Sequence, residues 1–165
     1  MASEERQTAD AIVNAFNTAD INTLISLRTP NCMRIFQPDA LQFAPQTNAQ
    51  YRASLLAILQ VFSSFKITVT DVIEGTSEFP ARTDEQEGEN AFTQKKKIIM
   101  YVNARGETPI GEYVNQYVWK MGFEAGGKRV NEWEEYVDVV SVECDNQILA
   151  RLMKGRVWRE VTFLG

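Results

Sequence analysis

Phe65-Lys66-Ile67-Thr68-Val69-Thr70-Asp71-Val72-Ile73-Glu74 is where the hydrophobic period of this chain changes. Phe65, Ile67, Val69 and Ile73 alternate with Lys66, Thr68, Thr70 and Glu74, the two-residue repeat of a strand with one buried face. Further strand patterns follow over Ala91 to Ala104, Ile110 to Phe123 and Lys128 to Val139. The links Arg105-Gly106-Glu107 and Ala125-Gly126-Gly127 have the glycine content of hairpin connections. Consecutive long strands joined by short turns predict an antiparallel meander.

Upstream of Phe65 the period is helical. Ala9, Ile12, Val13 and Phe16 form one stripe between Ser3 and Asn17, with Glu4 and Glu5 in the first turn where the helix dipole favours anions. Asp20 can cap a short helix through Leu27, which Thr29-Pro30-Asn31 ends. Cys32 to Phe36 reads as a short strand and Gln37 to Thr47 as loop. A third helix starts at Asn48 and carries Tyr51, Leu55, Ile58 and Phe62, widened by Leu56 and Leu59. Beyond the last strand, Val142, Leu149, Leu152 and Met153 read as a helical or irregular segment, and Trp158 to Leu164 as a docking strand or tail. Helices followed by a strongly curved antiparallel sheet predict a single α+β domain over residues 1–165, a cone whose sheet wraps around the N-terminal helices and leaves an interior cavity.

Composition restricts the chemistry. The 165 residues include 17 basic and 22 acidic side chains, two cysteines and no histidine. A Ser-His-Asp or Cys-His nucleophile, an imidazole base and a His-ligated metal are therefore excluded. The net charge of −5 argues against nucleic acid as a partner, because phosphate binding needs a cationic footprint. Much of that charge is local. Residues 77–90 hold Glu78, Asp84, Glu85, Glu87 and Glu89 against Arg82 alone, a net of −4, which leaves −1 for the rest. This stretch reads as a solvated surface insertion, with a lid over a pocket as the functional alternative. Cys32 and Cys144 form no metal pattern and read as small buried groups. The sequence shows no signal peptide and no apolar run of membrane-spanning length, so a cytoplasmic protein without a membrane partner is expected.

Acid and base work is left to carboxylates, phenols and guanidinium groups. On the strand Gly111 to Trp119 the two-residue period places Tyr113, Asn115, Tyr117 and Trp119 on one face. On the next strand Asn131, Trp133, Glu135 and Val137 share a face, so Glu135 can enter the same cavity if the register permits. Arg34 and Phe36 share a face of the early strand. Each has a bland alternative: aromatic strand faces are ordinarily core, the run Glu132, Glu134, Glu135 can be a solvated face, and Arg34 can be a snorkelling surface cation or a buried one seeking a carboxylate. Lys95-Lys96-Lys97 places its lysines on alternate faces, which fits exposed charges that discourage edge pairing better than a phosphate site.

Arg28-Thr29-Pro30-Asn31-Cys32-Met33-Arg34, Pro38-Asp39-Ala40-Leu41, Thr47-Asn48-Ala49-Gln50-Tyr51-Arg52, Phe65 to Val72, Asn115-Gln116-Tyr117-Val118-Trp119 and Glu135-Tyr136-Val137-Asp138 occur in this order. That series resembles the small SnoaL-like, NTF2-like proteins of fungal secondary-metabolite clusters. These include meroterpenoid isomerases of the terretonin and austinol type and semipinacolases of the brevianamide type. The resemblance spans about Asp10 to Val140. It implies a cone-shaped α+β barrel, commonly a homodimer, that rearranges or cyclises a small-molecule natural-product intermediate without a cofactor. The semipinacolase pattern maps catalytic roles onto Arg34, Tyr113, Tyr117 and Glu135. Where meroterpenoid isomerases tend to carry histidine on the early strand, this chain has Arg34-Ile35-Phe36.

The expected function is a cofactor-independent isomerase performing a semipinacol-type 1,2-shift in an oxidised indole alkaloid. Glu135 is the expected proton acceptor or shuttle, Arg34 its partner or an oxyanion stabiliser, and Tyr113 and Tyr117 the hydrogen-bond donors. Phe36, Asn115, Trp119, Trp133 and Asp138 are expected to contact substrate. The alternatives are a polyketide or terpenoid cyclase or dehydratase, with Asp71 or Asp138 as base, and a non-catalytic ligand-binding module.

Overall fold

The computed structural model describes residues 1–80, 92–109 and 111–138. The elements are α1 (Glu4–Asn17), α2 (Ile21–Ser26), β1 (Arg34–Gln37), a 3-10 turn (Asp39–Leu41), α3 (Asn48–Leu59), β2 (Ser64–Pro80), β3 (Phe92–Thr108), β4 (Gly111–Phe123) and β5 (Val130–Val137). They form an α+β architecture, a curved five-stranded sheet in the order β1-β5-β4-β3-β2 with helices against one face. Most of the acidic stretch, Cys144, and the segments around Val142 to Met153 and Trp158 to Leu164 lie outside the described residues. No helix among the described residues is long and apolar enough to cross a membrane.

The helix ends follow their sequence signals. The Ser3 hydroxyl accepts the Arg6 N–H at the start of α1, and Asp20 accepts the Thr23 N–H at the start of α2. Thr47 and Gln50 form a reciprocal capping box that fixes the first turn of α3. Asn17, the last residue of α1, grips β2 in both directions: its amide donates to the Ile67 carbonyl at 3.0 Å and its Oδ1 accepts the Ile67 N–H at 2.7 Å. On α3 only Tyr51 and Leu55 are buried. Leu56 and Ile58, expected on the buried stripe, are 45% and 37% exposed. The helix ends at Leu59, so Phe62 leaves the stripe and packs instead against Phe65 and Tyr113.

The sheet departs from the sequence expectation in three places. First, β2 to β5 form the antiparallel meander, but β1 joins β5 in parallel, so the sheet is mixed. Second, a bulge between Val69 and Asp71 shifts the pleat of β2. Val72 then packs on the core while Ile73, expected to face inward with Phe65, Ile67 and Val69, is 48% exposed. Third, Gly106 is not in a turn but inside β3, opposite Phe65 and Tyr113. A Cβ there would lie 2.5 Å from Phe62 Cδ1 and 2.8 Å from the Ser64 carbonyl oxygen, so this glycine admits a close approach. The turn after β4 is where it was expected, with Gly126 and Gly127 at φ of +95° and +73°. The Gly127 carbonyl accepts the Thr8 hydroxyl, tying that turn to α1.

The inner face of the sheet and the helices share one apolar core, which includes Ala9, Ile12, Tyr51, Leu55, Met100, Val102, Trp119, Met121 and Trp133. The three lysines of β3 do alternate, but β3 is an inner strand and all three are paired rather than guarding an edge. Lys95 and Lys97 bond Glu132 across the outer face, and Lys96 lies 3.3 Å from Glu5 of α1. Lys120 pairs with Glu134 on the same outer face.

Candidate active site

The alternation of β5 separates the three glutamates that are close in sequence. Glu132 and Glu134 point outward to lysines, while Glu135 points inward and is 2% exposed. Parallel pairing sets Arg34 beside Trp133 and Phe36 beside Glu135, and antiparallel pairing sets Trp119 opposite Glu135. Arg34 and Glu135, 101 residues apart, meet in a bidentate ion pair of 2.9 Å (Nε to Oε2) and 2.6 Å (Nη2 to Oε1). The Trp133 indole N–H donates to Oε2 at 3.3 Å. Oε1 is thus left with one of its two lone pairs. A carboxylate buried this deeply is stable as an anion only with such a partner.

The Arg34 guanidinium is held by more than charge. Its carbon lies 4.3 Å from the Phe36 ring centre and 4.4 Å from that of Tyr51. Burial disfavours the Arg34 cation, but the charge and hydrogen bonds of Glu135, together with the phenols of Tyr51 and Tyr117, outweigh this and carry the guanidinium above its usual value. Tyr51 is fully buried and its phenol is pushed up to about 12, by burial first and by Glu135 in addition, against the pull of Arg34 and Arg28. A second buried guanidinium, Arg28, bonds Asn48 Oδ1 at 2.7 Å and the Cys32 carbonyl at 3.3 Å, and lies about as close to the Tyr51 and Trp133 rings, at 5.0 and 5.2 Å. Burial lowers its pKa. Two guanidinium groups therefore face one carboxylate in this part of the core.

Tyr113 and Tyr117, four residues apart on β4, share one face, and their hydroxyls hydrogen-bond each other. Tyr113 leans on Phe62 and Phe65. The Tyr117 phenol is raised well above its ordinary value by burial, then by Tyr113 and by the negative charge of Glu135, with Arg34 pulling the other way. The phenol pair and the ion pair are thus in electrostatic reach of each other on one face of the sheet. Trp119 stacks between Phe16 and Trp133 at 5.2 Å from each, and its indole N–H has no partner among the described residues. Asn115 is buried on the same inner face, where its Oδ1 accepts the Gln116 N–H.

Of the residues expected from sequence, Arg34, Glu135, Phe36, Trp133 and Trp119 come together, with Tyr113, Tyr117 and Asn115 on the same inner face. Asp138 does not. It falls one step out of phase with Glu135 and Val137, is exposed, and lines a hollow of about 360 Å³ with Thr70, Tyr101, Asn103, Gln116 and Tyr136. Asp71, the other alternative base, is exposed too, and its carboxylate accepts the next backbone N–H. The sequence reading missed Arg28 and Gln46, and took Tyr51 for a plain core residue. A single hydroxyl-bearing side chain on an otherwise apolar helical stripe was the available signal for Tyr51. Gln46, in an aperiodic loop, gave none. Among the described residues no three His, Cys, Asp or Glu side chains cluster so as to hold a metal ion.

No protein-family model matches the sequence. The chain aligns at 19% identity with the structure of BvnE pinacolase from Penicillium brevicompactum, over 90% of this chain and 92% of that one, with a TM-score of 0.71. An NTF2-like protein of unknown function from Burkholderia pseudomallei aligns at 15% identity, over 87% and 95% of the two chains, with a TM-score of 0.60. The fold is NTF2-like. The sequence of this NTF2-like chain is also similar to two fungal proteins. One is core atranone cluster protein 11 of Stachybotrys chlorohalonatus, 25% identical over 84% of this chain and 90% of that protein. The other is austinoid biosynthesis cluster protein H of Aspergillus calidoustus, 21% identical over 79% and 80%. The expected resemblance to NTF2-like proteins of fungal biosynthetic clusters therefore holds.

Proposed function

We propose that this chain is a cofactor-independent isomerase of fungal secondary metabolism. Its reaction is a skeletal rearrangement, a semipinacol-type 1,2-shift in an oxidised indole alkaloid. The observation that carries this reading is the buried Arg34–Glu135 pair on the same inner face as the Tyr113–Tyr117 phenol pair, bounded by Phe36, Trp119 and Trp133. The fold likeness to a pinacolase and the similarity to cluster proteins support it.

The chemistry asks for little more than proton management. The substrate hydroxyl gives its proton to the free lone pair of Glu135, and the O–H electron pair becomes the new C=O π bond. The adjacent C–C bond migrates with its electrons to the imine carbon, and the C=N π pair becomes a nitrogen lone pair that takes up a proton. No atom is gained or lost. Arg34 donates to the oxygen as charge develops on it, and the phenols orient the imine end and donate to it. Aromatic walls restrict the bound substrate to one folded conformer, which fixes the migrating face. Incubation with a hydroxy-indolenine substrate and chromatography with mass detection tests the proposal. A product of unchanged mass is expected, formed ~10²-fold more slowly by Glu135→Gln. Unchanged rate and product ratio in both Glu135→Gln and Arg34→Ala would overturn it.

The austinoid and atranone relatives favour a second reading, a terpenoid substrate for the same proton-moving site. Offering a meroterpenoid lactone beside the alkaloid separates the two by which one is converted. We also infer that the protein is a homodimer. Ile35, Ile73, Tyr101 and Tyr136 project from the outer face of the sheet, each more than a third exposed and interleaved with paired charges, and Tyr101 and Tyr136 line the same hollow as Asp138. A second copy related by a two-fold axis would cover this face. Sedimentation of Tyr136→Glu as a monomer and of wild type as a dimer is the expected result, and a monomeric wild type overturns it.

A further inference from the structure

We infer that Gln46 is a positioning residue for Arg34, acting with Ser54 to set where the guanidinium presents its unused N–H groups. The inference rests on the proposed role of Arg34 as a donor to the substrate oxygen. Gln46 meets Arg34 three times. Their backbones form a two-way bridge on the open edge of β1, with Arg34 N–H to the Gln46 carbonyl at 2.8 Å and Gln46 N–H to the Arg34 carbonyl at 2.9 Å. The Gln46 side-chain carbonyl then accepts from Arg34 Nη1 at 3.2 Å.

The amide orientation follows from donor chemistry. A guanidinium only donates, so Oε1 must face Arg34 and Nε2 must face away. Nε2 finds Ser54 Oγ at 3.2 Å. Ser54 lies one turn after Tyr51 on α3, so the helix that packs a ring against the guanidinium also orients the amide that grips it. The capping box on Thr47, the next residue, fixes the start of that helix. Of the five N–H groups of Arg34, two are held by Glu135 and one by Gln46, leaving one on each terminal nitrogen. Without Gln46 the bidentate bond to Glu135 remains, but the third anchor is lost: rotation about Cζ–Nη1 is no longer held, and the guanidinium plane can tilt about its bond to Glu135, so the donor directed at a substrate oxygen is less tightly fixed.

The test compares Gln46→Leu, Ser54→Ala and Ser54→Thr in the full chain. Gln46→Leu keeps both backbone bonds, and thermal unfolding confirms that it folds. Without substrate, nitrogen-15 NMR of the arginine side chains should show the Arg34 Nη1 signals averaging in Gln46→Leu and in Ser54→Ala. Nε–H should be unchanged because Glu135 still holds it, and Ser54→Thr should restore the wild-type pattern. With a converted substrate, Gln46→Leu should lower kcat about tenfold, the rate equivalent of one modest hydrogen bond, and shift KM less than about twofold. Unchanged Nη1 signals in Gln46→Leu overturn the inference, and so does an altered NMR pattern with unchanged kcat. If wild type converts neither substrate class, the functional proposal fails, and the NMR comparison alone decides whether Gln46 holds Arg34.

Discussion

Replacing Arg34 by methionine keeps an unbranched apolar stem of similar reach and removes the guanidinium that lies over Phe36 and Tyr51, together with its charge. Glu135, with a side chain 3% exposed, is then left with the Trp133 N–H at 3.3 Å. Breaking a buried ion pair from one side costs about 3–5 kcal/mol, a large part of the ~5–15 kcal/mol that holds a domain folded. Arg28, whose charge is coupled to Glu135, moderates the loss, so the lower end of that range, about 3 kcal/mol, is expected. Arg34→Met with Glu135→Leu removes the desolvation penalty together with the attraction, and should unfold within ~1 kcal/mol of wild type or above it.

Urea unfolding at pH 7 followed by tryptophan fluorescence measures both, since Trp119 and Trp133 lie in the core. A single variant that loses less than ~1 kcal/mol, or a double variant as unstable as the single, would refute the claim that the pair is desolvated and mutually dependent.

Alkali should act through Tyr51 and, with the same sign, Tyr117. Tyr51 ionises near 12 when folded against about 10 when unfolded, so stability is complete below pH 10 and is lost between pH 10 and 12, by ~2 kcal/mol, a loss that Tyr51→Phe should reduce in unfolding midpoints measured across that range. Gly106→Ala should cost about 1–3 kcal/mol, and pairing it with Phe62→Ala should not restore stability, because the Ser64 carbonyl remains 2.8 Å from the new methyl group. Asn17→Ala strips both bonds from Ile67 and should lower the urea midpoint by the equivalent of about 1–3 kcal/mol, with faster amide exchange at Ile67 as its local signature.

Local patterns made much of this protein legible. Ser3, Asp20 and the glycines after Phe123 mark their element ends, because capping and turn conformations depend on a few neighbouring residues. The two-residue period placed Tyr113, Asn115, Tyr117 and Trp119 together and put Glu135 on the opposite side of its strand from Glu132 and Glu134, since strand geometry leaves no other choice. Where the local pattern failed, something distant intervened. Ile73 is turned outward by a bulge, Gly106 yields to the ring of Phe62, and Leu56 and Ile58 stay exposed because only one side of α3 meets the core.

By itself, then, the sequence determined the vocabulary of the site, carboxylate, phenol and guanidinium without imidazole, and the face from which each strand residue would act. The tertiary structure alone decided which of them meet. Arg34 and Glu135 contact across 101 residues because β1 docks in parallel on β5, and no period within either strand encodes that register. The same holds for Tyr51, Gln46 and Ser54. Their part in holding Arg34 depends on how a helix and an aperiodic loop pack over a curved sheet, a property of the whole chain rather than of any segment in it.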